Sequence, residues 1–380
     1  MKQVTAFLKK EPMLTVSAIA AILSLFLTPP SAALLREIDW HTLGTLLMML
    51  CVLEGFKQEN VLRPVVRFST RFSTMAALSL FLIFGVFFTS MFVTNDVSLI
   101  IFVPLTILLF RGGGKEHYIL PVISMENIAA IRGSLLMPFG SPQNLFLYQQ
   151  SGTSTANFML HMSPLCISSA LLLILFVLVL YRRDLKEKIR IDRDAVSGET
   201  SRDPRLRILY LLLFVLILTT IVTRTSLWPI AVAIVLCAIL IFDRKLFGKV
   251  DYVLLFTFLC FFIFSSSVAA NPAISAFLHR TVTGHEYVSV ILLSQVISNV
   301  PASIVLYPFT ENFAGLIYGA DTAGLCSLIG SLASVINYRI YVREYPGRGG
   351  AFIRTFTLVS WAFFIIVAVP GYLLCAWPFF

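Results

Sequence analysis

Two short polar motifs interrupt long apolar stretches of this chain. They are Thr94-Asn95-Asp96 and Ser298-Asn299. Their hydroxyl, amide and carboxylate groups are the kinds of side chain that bind ions or small anions inside a membrane protein. Polar groups at membrane depth are tolerated where they contact protein or line a watery cavity. Two such motifs in one chain therefore predict a central site that is built from two related halves.

Each polar motif is followed by an apolar segment that contains a cluster of glycines and small polar residues. The clusters are Gly140-Ser141-Pro142-Gln143-Asn144 and Gly330-Ser331-Leu332-Ala333-Ser334. As one helix, segment 117–150 would measure about 51 Å, which exceeds a bilayer core of about 30 Å. We expect it to break, which exposes carbonyls that suit a cation and helix N-termini that suit an anion. The second cluster has no proline, and its alternative interpretation is close helix packing.

Two charged residues inside apolar segments are candidates for the central chemistry. A carboxylate at the bilayer centre costs about 2.5–3.5 kcal/mol on insertion scales, so we interpret Asp96 as a Na+ ligand or a proton carrier. Helix capping is the alternative role for Asp96. Arg132 precedes the first cluster, and we expect it to hold an anionic substrate, to pair with Asp96, or to extend to the inner membrane surface. The role of Glu126 stays open.

The composition is that of a membrane protein with many spans. Of 380 residues, 58% are hydrophobic and 13% are charged, and the mean hydropathy is +0.87. A spanning helix needs about 20 apolar residues. Segments that reach or approach this length are 13–29, 40–56, 161–181, 208–222, 228–242, 252–270 and 355–376.

The basic residues predict the topology. Of 29 lysines and arginines, 24 fall in alternate loops that we assign to the inside. These segments are 1–12, 57–74, 111–116, 182–207, 243–251 and 341–354. The distribution predicts a multi-pass protein of the cytoplasmic (inner) membrane, with its N-terminus inside and its C-terminus outside. We therefore interpret the net charge of +9 as a topology signal and expect no nucleic-acid partner.

The two polar motifs are predicted to lie at the tips of helical hairpins. Hairpin 75–110 would enter from the inside and hairpin 286–310 from the outside. The arms of the second hairpin are too short to span the bilayer, and Pro301 prevents its tip from continuing as a helix. In the first hairpin, arm 97–110 is also short and contains Pro104. The alternative is a pair of ordinary spans joined by a surface turn, and loop charges do not separate the two readings.

Opposite entry of the two hairpins predicts inverted repeats. The expected fold class is therefore an all-α polytopic membrane protein, in which each repeat contains a re-entrant helical hairpin and a discontinuous transmembrane helix. In the first repeat these are hairpin 75–110, broken helix 117–150 and helix 161–181. In the second repeat they are hairpin 286–310, broken helix 319–341 and helix 355–376. Segment 182–207 is predicted to be a cytoplasmic linker.

At these motifs, over about residues 40–376, the chain resembles the ion transporter superfamily, which includes divalent anion:sodium symporters, citrate transporters and arsenite permeases. In the divalent anion branch each hairpin tip carries Ser-Asn-Thr, whereas Asp96 and Val300 stand at the third position here. The Asn-Asp tip looks more like the citrate-transporter and arsenite-permease branches. The cluster 140–144 is close to the Gly-Asn-Pro-x-Asn of arsenite-permease-like members. The second cluster lacks both Pro and Asn.

The resemblance implies an elevator-type homodimer in the lipid bilayer. Residues 1–72 and 208–280 would form the scaffold, and residues 75–181 and 286–376 the two parts of the transport unit. The expected substrate-binding residues are Asn95, Arg132, Ser141, Asn144, Ser298, Asn299 and Ser331. The expected ligands of the coupling ion are Thr94, Asn95, Asp96, Gly140 and Asn144.

These observations predict a secondary transporter of a small anion, either a carboxylate or an oxyanion, that is coupled to Na+ or H+. No cofactor is expected, and Na+ is the one metal ion considered, as a coupling ion. A Na+/H+ antiporter and an arsenite-type exporter of the same fold are the alternatives. An intramembrane enzyme is disfavoured, because the chain offers no convincing pair of nucleophile and base at matching depth.

Overall fold

The computed structural model describes residues 12–28, 34, 36–61, 68–183, 185–189, 203–223 and 225–376. These residues form the helices α1 Pro12–Leu27, α2 Trp40–Gln58, α3 Met75–Val93, α4 Asn95–Gly112, α5 Ile119–Gly133, α6 Pro142–Ser151, α7 Thr155–Leu180, α8 Pro204–Thr223, α9 Trp228–Phe242, α10 Tyr252–Ala269, α11 Pro272–Val282, α12 Glu286–Ile297, α13 Asn299–Leu306, α14 Phe313–Ala323, α15 Leu332–Glu344 and α16 Gly349–Leu374.

The described chain is that of an α-helical polytopic membrane protein. Within the described residues, six helices are long and apolar enough to cross a membrane, namely α3, α4, α7, α8, α10 and α16. Long apolar runs favour helices in a bilayer because a helix satisfies its own backbone groups. Large apolar side chains of these helices remain exposed on the outer surface, for example Leu171, Leu212 and Ile365. Such surfaces fit contact with lipid.

Two helical hairpins carry the polar motifs at their tips. Helices α3 and α4 meet at Thr94, whose backbone has φ 70° and ψ 157°. Helices α12 and α13 meet at Ser298, whose backbone has φ 71° and ψ 160°. Positive φ is uncommon for residues other than glycine and costs about 1–3 kcal/mol. The two tips therefore share one rare backbone conformation.

The arms of the two hairpins differ in length. The first hairpin has arms of 19 and 18 residues, and both arms are among the candidate spans. Its second arm starts earlier and ends later than the 97–110 expected from the sequence, and Pro104 lies inside it. The second hairpin has arms of only 12 and 8 residues, or about 18 and 12 Å, which do not span a bilayer.

Two further segments are helices with an interruption. The chain leaves the helical conformation after α5 and resumes it at α6, across residues 134–141. It does the same between α14 and α15, across residues 324–331. The second of these segments begins at Phe313, six residues before the predicted start at 319. The two interruptions have equal length.

The hairpins and the interrupted helices pack reciprocally. Helix α3 lies on α5, and α12 lies on α14 in the same way. The second arms cross over, since α4 packs on α15 and α13 packs on α6. Glycines allow the close approach, because a Cβ on Gly133 would lie 2.0 Å from the Phe87 carbonyl oxygen and a Cβ on Gly319 would lie 2.7 Å from the Tyr287 carbonyl oxygen. Helix α1 lies against α10, while α2 contacts α8 and α9.

Five of the six basic segments predicted to share one membrane side contact one another. We call this the basic face. The contacts are Lys249 Nζ to Gln58 Oε1 at 2.7 Å, Asp203 N to Glu59 Oε2 at 3.3 Å, Lys115 Nζ to Glu187 Oε1 at 2.5 Å and Arg111 Nη2 to Glu344 Oε2 at 3.2 Å. Apart from Pro12, the sixth segment, 1–12, lies outside the described residues.

Replacing Gly133 by alanine is expected to destabilise the protein. The added methyl group would collide with the backbone of α3, and overpacking of this kind costs about 1–3 kcal/mol. Gly112→Ala is the control, because a Cβ there has nothing within 4 Å. Thermal unfolding in detergent should show a lower melting temperature for Gly133→Ala only. Equal melting temperatures for the two variants would contradict the packing described here.

The start of the linker is predicted to loosen at acid pH. Lys115 donates to Glu187, and this hydrogen bond holds the pKa of the Glu187 carboxyl below its usual range. A lowered folded-state pKa means that the contact stabilises the protein above the usual pKa and is lost as pH falls through the lowered value. Glu187→Gln should therefore increase proteolytic cleavage of 182–207 at neutral pH, and wild type should approach the variant at low pH. Glu344→Gln, which removes an exposed ion pair, should leave cleavage unchanged.

Candidate functional site

The two interrupted helices are joined to each other by buried hydrogen bonds. The donors and acceptors come from opposite halves of the chain. They are Arg132 Nη2 to Thr322 Oγ1 at 3.3 Å, Gln143 Nε2 to Asp321 Oδ1 at 2.9 Å and Asn127 Nδ2 to Ser334 Oγ at 3.0 Å. All six residues are fully buried or nearly so. The half-helices that flank the two breaks are therefore in direct contact.

The two interruptions close on themselves in the same way. Ser141 and Ser331 precede α6 and α15 and both have extended backbone. Three residues later, Asn144 Nδ2 donates to the Ser134 carbonyl at 3.2 Å. At the matching position, Ser334 Oγ contacts the Gly324 carbonyl at 3.4 Å. In each case a side chain of the second half-helix satisfies a carbonyl at the start of the interruption, as burial requires.

Glycines let each interruption fold back on the end of the preceding helix. A Cβ on Gly140 would lie 2.4 Å from the Ser134 carbonyl oxygen. A Cβ on Gly330 would lie 2.3 Å from the Ala323 carbonyl oxygen. These glycines therefore have the alternative role, close packing. The packing occurs within each break. Packing and a role in the site are compatible.

The second hairpin tip is held against the second interruption. The Asn299 backbone N–H donates to the Gly330 carbonyl at 3.2 Å, and Asn299 Nδ2 donates to the Ala320 carbonyl at 3.1 Å. Ser298 is only 2% exposed. Its Oγ has no hydrogen-bond partner among the described residues. The tip therefore presents one free hydroxyl group next to a fixed amide.

The first hairpin tip lies beside the first interruption. The rings of Phe92 and Phe139 have centroids 6.4 Å apart, and Asn95 is buried with its Oδ1 accepting the Asp96 N–H at 3.0 Å. Asp96 Oδ1 is buried without a hydrogen-bond partner in the described part of the chain. The structure does not pair Asp96 with Arg132, which contacts Thr322 instead.

Asp321 is a candidate residue that sequence reasoning missed. It is fully buried, accepts from Gln143, and interacts electrostatically with Arg132. A signal was available: aligning Gly140 with Gly330 places Asp321 and Thr322 opposite Ile131 and Arg132. This correspondence is visible in the sequence only when the two halves are compared.

Glu126, left open by the sequence, lies in a buried contact between α4 and α5. Its Oε1 accepts the hydroxyl of Thr106 on the opposite helix. Its Oε2 has no partner among the described residues. Nearby, Asn337 Nδ2 donates to the Ile123 carbonyl at 2.7 Å and ties α15 to α5. A buried carboxyl with one hydroxyl partner is a group that can bind or release a proton.

Several buried polar atoms around the joined interruptions have no partner among the described residues. They are Asn127 Oδ1, Arg132 Nε and Nη1, Asn144 Oδ1 and Asp321 Oδ2. Native proteins leave few such atoms, because each costs about 1–3 kcal/mol. The set offers N–H donors for an anion and oxygens for a cation. The described residues contain no cluster of three His, Cys, Asp or Glu side chains, so cation ligands there would include amide, hydroxyl and carbonyl oxygens.

A cavity of about 550 Å³ reaches this region from one side. Helix α10 forms one wall, and the end of α12 and the first turns of α15 form the other. Of the predicted site residues, Ser298 alone lines it. The structure thus brings the second tip and the second break together at the cavity, while most of the other predicted site residues are buried and do not line it.

These features define a class: an α-helical membrane protein with a buried polar centre between interrupted helices. The sequence comparison agrees, since residues 4–315 match the sequence model of a family described as citrate transporter (CitMHS). The chain belongs to this citrate transporter family, within the ion transporter superfamily that its motifs resemble. It is a membrane transporter and not an enzyme.

Similar proteins are known from bacteria and archaea. The inner membrane protein YbiR of Escherichia coli is 32% identical over 311 residues, covering 80% of each chain. The uncharacterized transporter MJ0456 of Methanocaldococcus jannaschii is 29% identical over 304 residues, covering 80% of this chain and 81% of that protein. A 46 kDa membrane protein of Mycobacterium leprae is 23% identical over 341 residues.

Arg132 and Asp321 are predicted to depend on each other for stability. Arg132 and Asp321 interact electrostatically without a direct ion pair, and removing one of two opposite buried charges leaves the other less well compensated, which destabilises the protein. We expect Arg132→Gln and Asp321→Asn each to lower the unfolding free energy, and the double variant to be more stable than the sum of the two losses predicts. Unfolding in detergent measures the coupling. Strict additivity would show that the two charges do not interact.

Proposed function

We propose that the chain is a secondary active transporter that moves a small anion across the cytoplasmic membrane by an elevator-type mechanism coupled to Na+ or H+. The joined interruptions are the observation that carries the proposal. They place unpartnered guanidinium N–H groups and unpartnered oxygens in one buried region. A membrane protein retains such groups where they serve a substrate or an ion.

Inverted repeats with re-entrant hairpins are part of the proposal. Three observations support them: the shared backbone conformation at Thr94 and Ser298, the equal length of the two interruptions, and the reciprocal packing of α4 on α15 and α13 on α6. Repeats of opposite orientation that meet at the membrane centre produce this pattern.

The proposed substrate-binding residues are those expected from the sequence, with Arg132 supplying positive charge and with Ser298 and Asn299 at the second tip. Arg132 is supported by its two unpartnered nitrogens. The proposed coupling-ion site comprises Thr94, Asn95, Asp96, Gly140 and Asn144. Asp96 and Asn144 support it because each has a buried, unpartnered oxygen. We add Asp321 as a residue that positions Arg132 through its charge.

The proposed scaffold comprises α1, α2 and α8–α11, and the remaining helices form the transport unit. Packing among α1, α2, α8, α9 and α10 supports the first group. The basic face would be cytoplasmic, because basic residues concentrate on the inner side of membrane proteins. A homodimer formed through the scaffold completes the proposal.

A Na+/H+ antiporter of the same fold is the second candidate. Glu126 favours it, since a fully buried carboxyl with a free oxygen suits proton exchange. An arsenite-type exporter would share the same site.

Ligand-induced stabilisation separates these candidates. A ligand that binds the native state raises its melting temperature by mass action. The purified protein should be stabilised by at least one organic or inorganic anion, more strongly with Na+ or at one of two pH values. If Na+ or pH shifts the melting temperature while no anion in the panel does, the antiporter is favoured over the anion transporter. Stabilisation by arsenite alone would favour the exporter.

Replacing Asp96 by asparagine is predicted to abolish coupled transport and leave the protein folded. The amide keeps the shape of the side chain and removes its charge and its exchangeable proton. Uptake into proteoliposomes driven by a Na+ or H+ gradient should fall to background. Glu116→Gln, an exposed carboxylate on the basic face, is the control and should transport normally. Gradient-driven uptake at the wild-type rate by Asp96→Asn would exclude this role.

A further inference from the structure

We propose that the cavity beside α10 binds an organic anion with one anionic group and an apolar body, and that Arg339 receives the anionic group. The inference rests on the proposed transport function and names the class of substrate that would be transported. It also assigns a role to Arg339, an exposed basic residue on α15 that the proposed site does not use.

The two walls of the cavity are helix faces. On α15, the lining residues Leu332, Val335, Ile336 and Arg339 are spaced three and four apart and therefore share one face. On α10, the lining side chains include Leu254, Thr257 and Phe261. From Leu332 to Arg339 the wall is about 10 Å long at 1.5 Å per residue. The volume of about 550 Å³ lies within the range of about 300–1,000 Å³ typical of small-molecule sites.

The cavity runs from the basic face to the second hairpin tip. Asp251 caps the start of α10, two residues after Lys249, which bonds to Gln58 on the basic face. Arg339 lies toward the end of α15, where Glu344 pairs with Arg111 on the same face. At the deep end, Ser298 lines the cavity with its buried and unpartnered Oγ. A ligand entering beside Arg339 thus reaches the proposed transport site.

The lining offers few polar groups. Thr257 Oγ1 donates to the Val253 carbonyl at 2.8 Å, and Asp251 Oδ1 accepts the Val253 N–H at 3.0 Å. Arg339 makes no ion pair with any described residue. Arg339 and Ser298 are therefore the two side chains of the lining that remain to donate hydrogen bonds to an anion. The other lining residues are apolar.

This arrangement of polar and apolar side chains favours a ligand with one negative charge. Arg339 compensates one anionic group, and Asp251 in the same lining repels a second. A second carboxylate placed between Arg339 and Ser298 would lie against Val335, Ile336 or Phe261 and lose its hydration without a partner, which is unfavourable. An apolar body in that position gains from leaving water. The cavity therefore fits hexanoate or phenylacetate better than a compact tricarboxylate such as citrate.

Thermal shift and calorimetric binding on the full-length purified protein test the proposal, with hexanoate, phenylacetate and citrate as probes. Hexanoate and phenylacetate should raise the melting temperature of wild type. Arg339→Gln should weaken their binding by about tenfold or more, because a charge-assisted contact is lost. Arg339→Lys should recover most of the affinity. Arg343→Gln is the matched control on the same helix, outside the cavity lining, and should bind as wild type.

Val335→Trp tests the apolar wall without changing any charge. It should weaken phenylacetate binding while the unliganded protein still unfolds cooperatively. Because Val335→Trp keeps the net charge, it tests the location of the site even if Arg339→Gln does not fold. If hexanoate binding survives Arg339→Gln and is lost in Val335→Trp, the cavity holds acyl chains such as membrane lipid, and the assignment of Arg339 is wrong.

The outcomes separate this inference from the proposed function. Stabilisation by citrate but not by the two monoanions, with no effect of Arg339→Gln, would refute the substrate class and leave anion transport in place. Stabilisation by Na+ or pH with no anion binding at all would refute the proposed function itself. Binding of the monoanions that depends on both Arg339 and Val335 would support both.

Discussion

The structure depends on one constraint: a helix that breaks inside a membrane must find new partners for the backbone groups it exposes. Lipid supplies none. Here each interruption is closed by its own second half-helix, through Asn144 on the Ser134 carbonyl and Ser334 on the Gly324 carbonyl. The remaining polar groups of the two interruptions then meet across the interface between the halves of the chain. Buried polar groups of each half find hydrogen-bond partners in the other half, and this explains why the polar motifs come in pairs.

The same constraint places the charges. A buried guanidinium is unfavourable without an opposite charge, and Arg132 from one half has Asp321 from the other as its electrostatic neighbour. Asp321 is in turn fixed by Gln143 from the first half. Two interactions of this network therefore connect the first half of the chain to the second. A network of this kind supports the proposed movement of the hairpins and interrupted helices as one body, because relative movement of the halves would expose uncompensated charge.

Much of this arrangement can be predicted from local sequence, and the remainder depends on contacts that local sequence does not show. Gly140 and Pro142 predict the first break because their backbone chemistry disfavours a continuous helix. Basic loops predict which segments share a face because charge is excluded from the bilayer. The second arm of the first hairpin is longer than the expected 97–110, because α4 accommodates Pro104 in its interior. Local sequence does not identify Asp321, because its electrostatic partner Arg132 lies 189 positions earlier in the sequence.

The two halves of helix α10 have different surroundings. Its first half, from Asp251 to Phe261, lines the cavity that begins at the basic face. Its second half is packed: Ser265 Oγ donates to the Ile304 carbonyl at 2.8 Å, and the Phe262 and Phe146 rings have centroids 5.4 Å apart. Opening the opposite side in the proposed mechanism would break the Ser265 hydrogen bond and separate these rings. The cavity wall that closes in exchange is mostly apolar, so it can slide against α10 without breaking directional bonds. The proposed movement therefore exchanges one small set of specific contacts for non-specific burial, a balance that permits both states.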